Sequence, residues 1–246
     1  MRHAFFTSPR PLVFAHRGGA ALARENTMDA FANGVSCGAD GLELDVRASK
    51  DGRVVVVHDE TLDRTTRLRG PVHHYSADEL AAADVPELRT VLDAFRDVRL
   101  IIEVKVNQPE FGRLVVDELR RADAIARTCV GGFRRAVLRA VRDEEPALAT
   151  SAAREEVRLA LYRSWLRWPV TYTAYVGYQI PELSGSTRVV SPRFVSDARR
   201  AGLGVQVWTV NDESTARRLL SWGVDALITD RPDLMVPLVR EDAALR

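Results

Sequence analysis

The sequence predicts an α/β fold, a TIM-type (β/α)8 barrel in a single domain, and three observations point there. Short apolar runs alternate with amphipathic stretches from one end to the other. Eight of those runs qualify as core strands, the number such a barrel closes with. At 246 residues, 46% of them hydrophobic, the chain has the usual length of one α/β barrel and enough apolar mass for one sizeable core.

The eight strand candidates are LVFAH near 12–16, GLELDV 41–46, LIIEVK 100–105, TCVGGF 128–133, ALATSA 147–152, TAYVGYQ 173–179, VQVWTV 205–210 and DALITD 225–230. A ninth run, VVVVHD at 54–59, follows the second strand after only ASKDGR. A parallel crossover needs about a dozen residues or more, so this run is expected as a β-hairpin arm folding back beside the second strand. Helices are marked by their ends. Asn26 is expected to cap TMDAFANGVSCG, with Asp29 favouring the positive end of the helix and Gly38 closing the other. Residues 61–98 hold no core strand and read as an insertion: a loop, TLDRTTRLRGPVHHYS, then short helices in SADELAAAD and VPELRTVLDAF.

Composition removes several functions. With 35 Lys+Arg against 34 Asp+Glu the formal net charge is +1, so bulk electrostatics do not steer the chain to nucleic acid. No stretch approaches the ~20 apolar residues of a membrane span, and the first residues lack a secretory apolar run, so a soluble, cytoplasmic protein is expected. Cys37 and Cys129 lack metal-ligand spacing and are expected as buried free thiols.

The chemistry concentrates on two strands. Alternate side chains of a strand share a face, so Leu42, Leu44 and Val46 point toward the helices while Glu43 and Asp45 point into the lumen. The next strand repeats this, with Ile102 and Val104 outward and Glu103 and Lys105 inward. Three carboxylates then converge at the C-terminal ends of the strands, where such barrels keep their active sites. Like charges in a lumen either gain protons or find a cation, and oxygen ligands with open positions suit Mg2+ or Ca2+. His16 and His58 each close an apolar run near these acids, and imidazole can both accept and supply a proton near neutral pH. His3, His73 and His74 receive no role. Lys50 and Lys105 are the only lysines among the 35 basic residues, which suggests that Lys105 serves as a compact point charge toward phosphate. Gly18-Gly19 reads equally as an anion-approaching turn or an ordinary tight turn. Trp208 shares the lumen-facing parity of Gln206, and so offers an aromatic wall at the site or plain packing.

The motifs HRGG at 16–19 with Glu25-Asn26 and Phe31, DGLELDVRASKDGRVVVVHDETLDRTT, IIEVK, VQVWTVND and GVDALITDRP occur in order and closely resemble the glycerophosphodiester phosphodiesterase family. The resemblance spans about residues 12–233. It implies a TIM barrel that uses a divalent cation to hydrolyse glycerophosphodiesters to glycerol 3-phosphate and an alcohol. It also implies catalytic roles for His16 and His58, metal ligation by Glu43, Asp45 and Glu103, and phosphate contact by Arg17 and Lys105. The sequence departs from the family pattern at Arg24, where Pro is common, and at Gly132-Phe133, where Ser-Phe is common. Related phosphodiesterases are the alternatives: a lysophospholipase D-like enzyme, or a phosphatidylinositol phospholipase C-like enzyme that cuts on the glycerol side of phosphorus. A barrel that merely binds glycerol phosphates would need no acid/base pair.

A last segment, REEVRLALYRSWLRW at 154–168, spaces Val157, Leu161, Trp165 and Trp168 about one helical turn apart, with Arg154, Arg158 and Arg167 among its polar positions. Tyr162, Trp165, Trp168, Tyr172, Tyr175 and Tyr178 fall close together in a chain that is 7% aromatic. Two readings stay open, an outer helix packing its stripe on the strands, or peripheral contact with a lipid surface and a site that also admits a lysophospholipid.

Overall fold

The computed structural model describes residues 3–170 and 173–244. Its elements run β1 (Leu12–His16), α1 (Met28–Ser36), β2 (Gly41–Ala48), β3 (Val54–Val56), α2 (Ala77–Ala81), α3 (Leu88–Ala94), β4 (Arg99–Val104), α4 (Pro109–Arg121), β5 (Thr128–Gly132), α5 (Arg135–Glu144) and β6 (Ala149–Thr150). They continue with α6 (Arg154–Leu166), β7 (Gly177–Pro181), β8 (Leu183–Ser184), β9 (Thr187–Arg188), α7 (Pro192–Arg200), β10 (Gly204–Trp208), α8 (Glu213–Trp222), β11 (Ala226–Thr229) and α9 (Pro232–Ala244). Eight parallel staves follow the order β6-β5-β4-β2-β1-β11-β10-β7. A parallel bridge between Ser151 and Gly177 brings the two ends together, so the sheet closes into the expected barrel. The hairpin arm is β3, antiparallel to β2 with Val46 opposite Val56.

Alternation sets the layers. Leu42, Leu44, Val46, Ile102 and Val104 pack outward with Val91, Val115 and Leu119 of the surrounding helices. Inward, Leu12, Phe14, Ile101, Cys129, Ala226 and Ile228 fill the N-terminal half of the lumen. The chain's first turn plugs that end, a feature not anticipated from the sequence. Phe5 stacks on Phe14 with ring centroids 5.9 Å apart and meets Phe6 edge-on at 5.3 Å. Phe6 fits because β7 and β10 present glycine to it: a Cβ at Gly177 or Gly204 would lie 2.6 or 2.5 Å from its ring.

Three expectations change. Thr27, not Asn26, caps α1, its hydroxyl accepting from Ala30 N at 3.2 Å. Asn26 has φ 58° and is bent back to hold a lumen acid. The strands expected at 147–152 and 173–179 shrink to Ala149–Thr150 and shift to Gly177–Pro181. Tyr175, inside the run expected as a strand, precedes β7 and is buried by ring packing on Tyr178 at 5.3 Å. Cys129 is buried and free, whereas Cys37, at the end of α1, is only half-buried.

Candidate active site

The parallel register aligns the proposed site residues across three neighbouring strands. His16 of β1 lies opposite Glu43 of β2, and Asp45 opposite Glu103 of β4. Carboxylate oxygens of Glu43, Asp45 and Glu103 all lie within 4.8 Å of one another. Glu43 and Asp45 are buried and Glu103 half-buried at the rim. Lys105, just past β4, places Nζ 2.9 Å from Asp45 Oδ1 and 3.0 Å from Glu103 Oε2, with the Phe133 ring 5.4 Å away.

Electrostatics divide the acids. Burial, reinforced by the charge of Asp45, pushes the Glu43 carboxyl up to about 8. Burial opposes ionisation of Asp45 too, but Lys105, His58 and Arg17 face it and hold its pKa below the ordinary aspartate value. The cluster therefore holds more acid than its own cations neutralise. All its donors are hard oxygens with no thiolate among them, a donor set that fits Mg2+ or Ca2+.

Both histidines are oriented the same way, each with a carboxylate on Nδ1. His16 Nδ1 lies 2.6 Å from Asp230 Oδ1, and His58 Nδ1 lies 2.7 Å from Asp59 Oδ1. Asp230 is itself fixed by Asn211 Nδ2 at 2.7 Å, while Arg64 donates to Asp59 Oδ2 at 2.7 Å. His16 Nε2 is thereby left toward Glu43, 3.8 Å from Oε2. Burial disfavours the imidazolium of His16, but Glu43 and Asp230 outweigh it and raise the pKa.

Arg17 follows β1 with φ 51°. Its amide donates to Glu43 Oε2 at 3.0 Å, and its guanidinium donates to Glu25 at 3.0 Å and lies 3.4 Å from Asp45. Asn26 donates to Asp45 Oδ2 at 2.9 Å. Gly18 is required by packing, since a Cβ there would sit 2.7 Å from the Ala30 backbone of α1. That supports a tight turn at Gly18-Gly19.

These groups open onto a cavity of about 530 Å³ at the C-terminal end of the barrel. His16, His58, Glu103 and Lys105 line its floor, with Trp208 among its walls. Gln206, one pleat deeper than Trp208, is fully buried and does not reach the cavity.

Residues 16–234 match the model of the glycerophosphoryl diester phosphodiesterase family. The chain belongs to this family. It is thus an enzyme, a phosphoric diester hydrolase. A glycerophosphodiester phosphodiesterase of Bacillus altitudinis is 30% identical over 251 residues, covering 93% of this chain and 98% of that protein. Among solved structures, one from Silicibacter pomeroyi described as a glycerophosphoryl diester phosphodiesterase superposes with a TM-score of 0.82 at 24% identity, covering 97% of this chain and 96% of the other, a likeness of fold. A phosphodiesterase of Oleispira antarctica, in complex with the product sn-glycerol-3-phosphate, gives 0.77 at 25% identity over 94% and 97% of the two chains.

Sequence reasoning missed the residues that orient the others: Glu25, Asn26, Asp59, Asn211 and Asp230. A signal for some was present. Asp230 follows β11 directly and Asn211 lies just past β10, and polar residues at the C-terminal ends of barrel strands are functional candidates in this fold.

Proposed function

We propose that this phosphodiesterase hydrolyses glycerophosphodiesters to glycerol 3-phosphate and an alcohol with the help of a divalent cation. The observation that carries the reading is the pair of carboxylate-oriented imidazoles at one cluster of three acids. Glu43, Asp45 and Glu103 would hold the cation, whose charge would polarise the phosphoryl oxygens. Arg17 and Lys105 offset the negative charge of the phosphodiester and the further charge that gathers on its oxygens as the nucleophile attacks. One histidine, Nδ1 fixed by its carboxylate, accepts a proton at Nε2 from the attacking hydroxyl. The other supplies a proton to the alcohol oxygen as its bond to phosphorus breaks. Asp230 and Asp59 accept from Nδ1–H of each ring, which leaves Nε2 bare on the neutral histidine that acts as base and proton-bearing on the imidazolium that acts as acid.

A second reading, lysophospholipase D-like hydrolysis, has a specific observation in its favour. Part of the cavity wall beyond the acids is apolar, built from Val157, Leu161, Ile180 and Val189 beside Arg154 and Arg158, which suits a diester carrying an acyl chain.

An enzyme-coupled assay for glycerol 3-phosphate released from glycerophosphocholine, with and without added Mg2+ or Ca2+, tests the main reading. Metal-dependent release is expected. Full turnover by EDTA-treated protein would overturn the metal assignment, and no release under any metal would overturn the substrate.

A further inference from the structure

Helix α6 has apolar side chains on opposite sides. Val157 and Leu161 lean on the core between α6 and the strands, with Ala160 and Ser164 buried beside them. Leu159, Tyr162 and Leu166 fall on the opposite face at 100° per residue, exposed by 51–58%. Trp165 and, past the helix end, Trp168 are exposed by 55 and 63%, and Leu183 at the tip of the neighbouring β8–β9 hairpin by 50%. The sequence stripe is therefore split: Val157 and Leu161 pack inward, whereas Trp165 and Trp168 do not. Tyr172, counted in the same aromatic cluster, lies outside the described residues.

Large apolar side chains gathered in this way mark a contact surface, and the charges around them say what it contacts. Arg154 and Arg158 flank the apolar face on one side and Arg163 on the other, with Arg167 at the helix end. None of the four has a carboxylate partner among the described residues. Several arginines elsewhere do meet carboxylates: Arg120 of α4 reaches Glu144 at 2.8 Å and Glu145 at 2.9 Å, and Arg142 of α5 reaches Glu156 on the inner side of α6 at 2.9 Å. Glu155 lies on the exposed face at the first turn, far from the aromatic end. A second copy of this chain across a two-fold axis would gather the four guanidiniums of each copy with one Glu155 from each to offset them, and that net like charge disfavours self-association. An anionic lipid surface offers each a partner while Trp and Tyr rings lodge at head-group depth.

We propose that the exposed face of α6, with Trp168 and the β8–β9 tip, docks the enzyme on anionic lipid surfaces. The cavity opens beside it: Tyr162 and Trp165 belong both to the exposed face and to the cavity rim, so a docked enzyme turns its active site to the membrane. The contact is peripheral, since no helix among the described residues is long and apolar enough to cross a membrane.

The test uses sedimentation with vesicles of phosphatidylcholine, alone or mixed with phosphatidylglycerol. The variants are Leu166→Ser/Trp168→Ser and Arg163→Gln/Arg167→Gln, which do not line the cavity. Wild type is expected in the pellet with mixed vesicles only, and in the supernatant once salt is raised. The arginine variant should lose more than tenfold in partitioning, at roughly fivefold per cation, and the aromatic variant should lose binding comparably. Turnover of glycerophosphocholine in solution should be unchanged in both, so a failed docking test and a failed assignment of activity are separately visible. Equal pelleting with neutral vesicles, no pelleting at low salt, full binding by both variants, or a concentration-dependent dimer abolished by Leu166→Ser/Trp168→Ser would each overturn the proposal.

Discussion

Glu43→Gln should stabilise the metal-free protein in alkaline solution while removing its activity. In the folded chain the Glu43 carboxyl keeps its proton up to about pH 8, against an ordinary 4.5. Between those limits the folded state binds the proton and the unfolded state does not, so stability falls as pH rises. The contribution is fully present below about pH 4.5 and gone above about 8. At about 1.4 kcal/mol per pH decade the ceiling is on the order of 5 kcal/mol, and relaxation and water entry lower it to about 2–5 kcal/mol. Glutamine is neutral at every pH and can keep accepting from the Arg17 amide, so the variant escapes this loss. Thermal melts of EDTA-treated wild type and variant should nearly coincide at pH 5, with the variant ahead by roughly 5–15 °C at pH 9. Saturating Mg2+ or Ca2+ should close the gap by stabilising the wild type. If the two metal-free proteins melted together at pH 9, the crowding of Glu43 and Asp45 would not be as described.

His16→Ala and His58→Ala should each lower kcat on glycerophosphocholine by about 10²–10⁴, and the double variant by far less than the product of the two; steady-state kinetics on all three decide it, and fully multiplicative losses would place the histidines in separate steps. Phe6→Ala empties the plug between Gly177 and Gly204 and should cost about 3–5 kcal/mol in urea denaturation, with kcat at 25 °C retained because the plug lies at the end of the barrel opposite the site.

The sequence by itself determined the faces of the strands. Period-two alternation does not depend on which strands neighbour each other, so Glu43, Asp45 and Glu103 could be placed in the lumen and Leu42, Leu44 and Val46 outside from local pattern alone. His16 and His58 were legible for a similar reason, each standing at the end of an apolar run. The short link before VVVVHD likewise fixed β3 as a hairpin arm. Tertiary structure alone decided what holds those groups. Asp230 reaches His16 from 214 residues away, and only closure of β11 against β1 brings them together. Asn26 carries a good capping side chain, but its amide satisfies buried Asp45 and Thr27 takes the cap. The two faces of α6 also needed the fold, because a helix with apolar residues all round does not say which of them the barrel will cover. Local pattern states which way a side chain points; the partner it meets is set by strand register and barrel closure, which are properties of the whole chain.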